Sequence, residues 1–170
     1  MKKISLRATL VLLLGLFPAG FSSPAHAQSS SELYGGWIIT AWESPDGQDD
    51  STARRGLFVF AESGQYSIMY VIGDAREPLG QNPSDADIAA AYNPCVANSG
   101  RYSISGDVIT YEAFMAKDPA YMSRFSGTGG EGNAQTMSFS IDDGVLTLRF
   151  GEGGPMGGAT ATLRRPGSGE

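Results

Sequence analysis

The chain has 170 residues, with 12 basic and 18 acidic side chains and a formal net charge of −6 at pH 7. An acidic chain of this size fits a single domain, and its charge disfavours nucleic acid and anionic membrane surfaces as partners. It contains one histidine, His26, and one cysteine, Cys95.

Residues 1–27 have the pattern of a secretory signal peptide. Three basic residues precede an apolar run over residues 10–17, and Ala25-His26-Ala27 is a small-x-small cleavage site. We expect cleavage after Ala27 and a periplasmic or secreted mature protein with no membrane insertion. Removal of the three basic residues leaves nine against 18 acidic ones, a net charge of −9, with Lys117 as the one lysine.

Cleavage would also remove His26, the one histidine. The mature chain would then have no Ser-His-Asp triad, no Cys-His pair and no histidine-ligated metal site. Cys95 has no second cysteine with which to form a disulfide, and we interpret it as a small packed residue. We therefore expect no metal and no cofactor.

Taken in order, the mature chain alternates between short apolar runs and turn signals. The first predicted strand is Tyr34–Glu43, with Trp37 and Ile39 on one face and Trp42 on the other. Ser84 as N-cap and Pro94 as terminator predict one short helix over 84–92. The other predicted strands cover residues 56–61, 65–72, 99–104, 108–115, 120–126, 136–141, 145–150 and 159–164.

About nine short strands joined by turns every eight to twelve residues predict an all-β fold. We expect an antiparallel up-and-down barrel of about 8–10 strands with one short helix. Residues 28–165 would form this single domain, and 166–170 a disordered tail.

Four stretches resemble the bacterial lipocalin-like domain family, whose members are small calycin-type barrels. They are Leu33-Tyr34-Gly35-Gly36-Trp37, Gly56–Phe60 with Gly64–Ser67, Ala97–Ile104, and Asp143-Gly144-Val145-Leu146-Thr147-Leu148. The resemblance implies a lipocalin-like barrel in which Gly35 and Trp37 are structural. It also implies that Trp37 closes one end beneath an arginine, either Arg149 or Arg164.

Any ligand is expected towards the far end of the first strand, near Trp42. The candidate ligand-binding residues are Trp42, Tyr66, Tyr102, Tyr111, Glu112, Tyr121 and Arg124. Glu112 and Arg124 are predicted to approach each other across a hairpin, either as a polar handle for a ligand or as an exposed ion pair.

Three functions fit these features. The first is a barrel without catalytic activity that binds a small, mostly hydrophobic ligand. The second is a histidine-free enzyme of isomerase, cyclase or dehydratase type, in which Glu112 and Tyr111 do acid–base work on a small hydrophobic substrate. The third is a structural or interaction module of the cell envelope with a filled core. The sequence does not give the oligomeric state.

Overall fold

The computed structural model describes residues 30–47, 54–73, 76–122, 134–152 and 156–167. Eight antiparallel strands in chain order form a closed barrel in which β8 pairs with β1, and this confirms the predicted all-β up-and-down architecture. The elements are α1 Ser30–Leu33, β1 Gly35–Glu43, β2 Arg54–Phe60, β3 Gln65–Ile72, α2 Asp85–Tyr92, β4 Cys95–Ser105, β5 Val108–Ala116, a 3₁₀ turn Pro119–Tyr121, β6 Gln135–Asp142, β7 Val145–Phe150 and β8 Thr160–Arg164.

The prediction of a strand over 120–126 is wrong for residues 120–122, the part of that range that the structure describes. Pro119–Tyr121 is a 3₁₀ turn, closed by a hydrogen bond from the Met122 N–H to the Pro119 carbonyl at 3.0 Å. Met122 then makes one isolated bridge to Ala113, and residues 123–126 lie outside the described residues. The strands that flank β5 are β4 and β6. A proline that opens a tight turn explains why an apolar segment leaves the sheet here.

The connections differ in length between the two ends of the barrel. At one end, hairpins of two to four residues join β2 to β3, β4 to β5 and β6 to β7. Asp143 and Gly144 both have positive φ, 48° and 73°, as a tight type I′ hairpin requires. At the other end, the connections run over residues 44–53, 73–94, 117–134 and 151–159. We call this second end the loop end.

A β-bulge changes the direction of Trp42. In the pairing of β1 with β8, Ile39 lies opposite Leu163 and Ala41 opposite Thr162, so Thr40 is an extra residue on β1. Its hydroxyl donates to the Thr162 carbonyl at 3.2 Å. Strict alternation predicts Trp42 on the face opposite Trp37, and this prediction is wrong because the bulge shifts the alternation by one residue. Both indoles are buried.

Trp37 closes the end of the barrel that carries the short hairpins, and we call this the closed end. Its indole N–H donates to the Leu33 carbonyl at 2.7 Å, and the Arg165 guanidinium lies 3.8 Å from the ring centroid. Gly35, at φ 110°, leaves room for this arginine because a Cβ there would lie 2.6 Å from its Nη1.

The arginine over Trp37 was predicted to be Arg149 or Arg164, and both choices are wrong. Arg164 is an exposed residue of β8 that pairs with Ile38. Arg149 pairs with Thr160, whose other neighbour is Glu43 at the loop end of β1. Arg165 comes just after β8 ends, so its side chain can turn beneath the barrel and over the indole.

The core lies inside the barrel. It contains Leu33, Trp37 and Phe60 towards the closed end and Trp42, Tyr70 and Phe150 towards the loop end, all buried. In the ranges that the structure describes, neither helix is long and apolar enough to cross a bilayer.

Candidate ligand-binding site in the barrel interior

An aromatic cluster occupies the interior at the loop end. The Trp42 ring centroid lies 5.3 Å from that of Tyr70 and 5.4 Å from that of Phe150. Phe58 stacks on Tyr70 at 6.3 Å. The rings come from β1, β2, β3 and β7, and tilted packing at these distances is favourable for aromatic side chains. The cluster forms an apolar wall within the barrel.

A polar group faces this wall from β3, β4, β5 and β6. The Tyr111 hydroxyl donates to Oε1 of Gln135 at 3.4 Å, and the Tyr66 ring packs edge-on against that of Tyr111 at 5.4 Å. The hydroxyl of Tyr66 and Oδ1 of Asn98 are buried, and neither has a hydrogen-bond partner within the described residues. An orphaned buried polar atom is unfavourable, which makes both atoms candidates to contact a ligand or water.

A small cavity of about 20 Å³ lies beside this group. Asn98, Tyr111, Tyr121 and Gln135 supply its polar lining, and Met156 lies on the loop side. Among the described residues that line the cavity, none is Asp, Glu, Lys or Arg. The volume suffices for one water molecule or one small polar group.

The electrostatics of the cavity favour neutral groups. Burial raises the pKa of both Tyr66 and Tyr111 above its ordinary value of 10.0, and proximity of the two phenols adds to the shift on Tyr66. Burial, with a smaller contribution from Asp118, also raises the pKa of Tyr121. All three phenols therefore keep their protons at neutral pH. The Tyr111 hydroxyl already donates to Gln135, and Tyr121 is a second phenol in the cavity lining that can donate to a neutral or weakly polar partner.

The predicted site residues divide between the interior and the surface. Tyr111 and Tyr121 line the interior cavity. Tyr66 packs against Tyr111, and Trp42 packs against Tyr70 and Phe150, which line the cavity. Tyr102 is partly buried, but its hydroxyl donates to the Ala61 carbonyl at 2.8 Å, at the closed end.

Glu112 and Arg124 do not join the interior group. Glu112 points outward and pairs with Arg101 on β4, with Nη2 to Oε2 at 2.7 Å, while the adjacent Tyr111 points inward. Arg124 lies outside the described residues. The structure thus does not bring Glu112 and Tyr111 together, and the acid–base pair that the enzyme hypothesis needs is not assembled.

Sequence reasoning missed Asn98 and Gln135. Each lies one residue before the predicted start of its strand, 99 for β4 and 136 for β6, whereas the strands begin at Cys95 and Gln135. Extending the inward alternation of Met137 and Phe139 back by one step would have placed Gln135 inside. The same extension from Tyr102 through Gly100 would have placed Asn98 inside.

The described residues contain no group of three or more His, Cys, Asp or Glu side chains arranged to hold a metal ion. Cys95 is a free thiol.

The chain is similar in structure to three solved proteins. A lipocalin-like protein from Bacteroides uniformis is 14% identical over 79% of this chain and 98% of its own, with a TM-score of 0.46. An uncharacterized protein from Bacteroides eggerthii is 13% identical over 78% and 98%, with a TM-score of 0.40. A mutant of the fluorescent protein UnaG is 14% identical over 81% and 98%, with a TM-score of 0.36.

No protein-family model matches the chain, and no curated protein matches it in sequence. The closed eight-stranded antiparallel barrel is the architecture that the lipocalin-like resemblance predicts.

Proposed function

We propose that this protein binds one small, neutral and mostly apolar molecule at the loop end of the barrel, without catalysis. The observation that carries the proposal is the buried, unpartnered Oδ1 of Asn98, which lines the interior cavity beside the aromatic residues Tyr70 and Phe150. The hydroxyl of Tyr66 is a second buried, unpartnered atom, on the ring that packs against Tyr111. Each orphaned atom costs about 1–3 kcal/mol in the empty protein. A ligand with one hydroxyl or amide would recover that energy and bury its apolar part against the rings.

The size of the cavity defines how such a ligand would bind. About 20 Å³ accepts only the polar group of the ligand. The apolar remainder would have to displace Met156, which lines the loop side. Methionine is the apolar side chain best able to repack around a guest, because it is unbranched and rotates about three bonds. The signal-peptide pattern supports action in the periplasm or outside the cell.

The same small volume favours a second candidate function, the structural or interaction module of the cell envelope with a filled core. In that case water alone would satisfy Tyr66 and Asn98.

Titration of the mature protein with 2-naphthol, followed by its fluorescence, tests the binding proposal. This probe is apolar and neutral, and its single hydroxyl can both donate and accept. We expect saturable binding that is tighter than that of naphthalene, which lacks the hydroxyl, because only 2-naphthol can donate a hydrogen bond to the orphaned Oδ1 of Asn98.

The variant Asn98→Leu keeps the approximate volume and removes the polar atom. It should weaken 2-naphthol binding by about tenfold, the worth of one buried hydrogen bond, and leave naphthalene binding unchanged. Arg149→Gln, on the outer face of β7, is the control. Equal affinity for both probes, or equal loss of both in Asn98→Leu, would refute the proposed contact.

A further inference from the structure

The outer wall of the barrel carries a groove that the proposed function does not use. It has a volume of about 690 Å³ and lies between the outward faces of β1–β4 and the C-terminal turn of α2. Ile38, Leu57, Met69 and Tyr92 supply much of its apolar lining. We call it the α2 groove.

The apolar side chains of the α2 groove are exposed where a solvated sheet face is normally polar. The exposed fractions are 42% for Ile38, 40% for Leu57, 56% for Met69 and 58% for Tyr92. Antiparallel sheets that face water usually alternate apolar-in with polar-out. A contiguous apolar surface on the outer wall is therefore a candidate binding surface.

Hydrogen bonds at its C-terminal end tie the helix beside the groove to other segments. A capping box between Ser84 and Asp87 begins α2, and none of its eight residues is buried. At the other end, Lys117 Nζ donates to the carbonyls of Tyr92 and Asn93 at 2.5 and 2.7 Å, and Arg76 Nη1 donates to that of Ala91 at 2.9 Å. Because none of its residues is buried, α2 packs little against the barrel and forms one side of the groove.

Two cations therefore meet at one end of an apolar groove. Arg76 and Lys117 come from separate connections but contact consecutive carbonyls, and among the described residues they are the charged side chains that line the groove. The mature chain would carry a net charge of −9, so a local pair of cations is notable on this acidic protein. Capping the helix uses two of the three ammonium hydrogens of Lys117 in the described contacts, which leaves donor capacity for an anion.

We propose that the α2 groove binds the monomeric form of a long-chain carboxylate. The carboxylate would lie at Arg76 and Lys117, and the hydrocarbon chain would cover Leu57, Met69 and Ile38. The volume falls within the range of small-molecule sites. Charge complementarity selects an anionic headgroup, and the apolar side chains that the structure describes along the rest of the groove suit a single hydrocarbon tail. This site is separate from the barrel interior and does not depend on the function proposed for it.

The test is calorimetric titration of the mature protein with dodecanoate below its micelle concentration. We expect one saturable site, weaker binding of butanoate because its chain is too short to cover the groove, and weaker binding of dodecyltrimethylammonium because its charge is reversed. Bound dodecanoate should also slow the reaction of Cys95 with a thiol reagent, since Cys95 lines the groove.

Matched variants locate the binding. Leu57→Glu and Met69→Glu place a carboxylate in the groove, and Lys117→Gln removes one cation; each should weaken dodecanoate binding by about tenfold or more. The controls Leu79→Glu and Arg149→Gln alter an exposed leucine and an exposed arginine elsewhere and should change binding less than about twofold. Unfolding midpoints measured for all five variants verify that each is folded.

Four results would overturn the proposal. The first is that dodecanoate shows no saturable binding, and the second is that Asn98→Leu loses dodecanoate binding whereas Leu57→Glu keeps it. The third is that the protein binds dodecyltrimethylammonium more tightly than dodecanoate. The fourth is that monomeric dodecanoate does not bind, while Leu57→Glu abolishes self-association of the protein or its adsorption to anionic phospholipid vesicles.

Discussion

Tyr66 and Tyr102 carry the same phenol in the same barrel, but their hydroxyls have different surroundings. The hydroxyl of Tyr102 donates to the Ala61 carbonyl at 2.8 Å, whereas that of Tyr66 is buried and has no partner within the described residues. Removing a satisfied buried hydroxyl loses a hydrogen bond, and removing an orphaned one relieves a desolvation penalty.

The two phenylalanine variants should therefore change stability in opposite directions. Tyr66→Phe should raise the free energy of unfolding by about 1 kcal/mol, and Tyr102→Phe should lower it by about 1 kcal/mol. Urea unfolding of the ligand-free mature protein measures both. A loss of stability in Tyr66→Phe would show that its hydroxyl already has a good partner in the empty protein.

Arg165 is a second residue with a specific contact. Its guanidinium lies over Trp37 and donates to the Glu32 carbonyl at 2.6 Å. Arg165→Ala should lower the free energy of unfolding by about 1–2 kcal/mol through the lost cation–π contact and hydrogen bond. Arg164→Ala, one residue earlier and exposed on β8, should have little effect in the same urea experiment. Equal losses in the two variants would contradict the contact assigned to Arg165.

At the scale of elements, one inserted residue in β1 determines which aromatic side chains the interior contains. Without the bulge at Thr40, the alternation of β1 would turn Trp42 to the outside. Trp42 is 1% exposed and contacts Tyr70 and Phe150, so the aromatic cluster at the loop end depends on this bulge.

Deletion of Thr40 tests this dependence. The deletion removes the extra residue and makes β1 regular, so Trp42 then lies four positions after Trp37 instead of five and strict alternation keeps it inside. We expect the tryptophan emission to remain that of buried indoles and the free energy of unfolding to fall by about 1 kcal/mol, the worth of the lost Thr40 hydroxyl bond. Thr40→Val is the control, because it keeps the bulge and the residue count and removes only the same hydroxyl bond; its cost should also be about 1 kcal/mol or less. A red-shifted emission in the deletion variant alone would contradict the role assigned to the extra residue.

At the scale of the whole molecule, the buried tyrosines link stability to alkaline pH. Burial raises the pKa of Tyr66 and Tyr111, and burial together with Tyr34 raises that of Tyr102 to about 12. A phenol whose pKa is higher in the folded than in the unfolded protein contributes its full stabilisation below pH 10. This stabilisation is lost as the pH rises above 10, because the phenol of the unfolded chain ionises first.

The free energy of unfolding should therefore fall steeply between about pH 10 and 12, and these phenols should give it no pH dependence near neutrality. Tyrosinate absorbance should rise in two stages, first from exposed phenols and then together with unfolding. Tyr66→Phe should reduce the slope by up to about 1.4 kcal/mol per pH unit. A single titration step near pH 10 with the fold intact would contradict the burial of these groups.

The fold could be predicted from the sequence because its signals are local. Strand alternation, the Asp143-Gly144 turn and the Ser84 cap each depend on neighbouring residues. The direction of the Trp42 side chain could not be predicted from the sequence, because the bulge at Thr40 is defined by pairing with β8, more than 120 residues away. The partner of Glu112 was missed although its signal is local: Arg101 lies directly opposite Glu112, 11 residues away across the two-residue hairpin that joins β4 to β5.

The candidate site was predictable only in part. Tyr66 and Tyr111 follow from aromatic content and alternation, and the structure brings them together. Asn98 and Gln135 lie at strand starts, where sequence patterns are least clear, and their convergence depends on barrel closure. The α2 groove was not predictable, because it requires the outer faces of four strands and the end of α2 to meet.

Native mass spectrometry of the mature protein, purified without denaturation from its own host, tests the central claim most directly. We predict a population heavier than the polypeptide by the mass of one small neutral molecule. This population should be absent from Asn98→Leu and present in Leu57→Glu, which alters only the outer wall. The bare polypeptide mass for the wild-type protein, or a bound mass that persists in Asn98→Leu, would contradict a ligand held in the barrel by Tyr66 and Asn98.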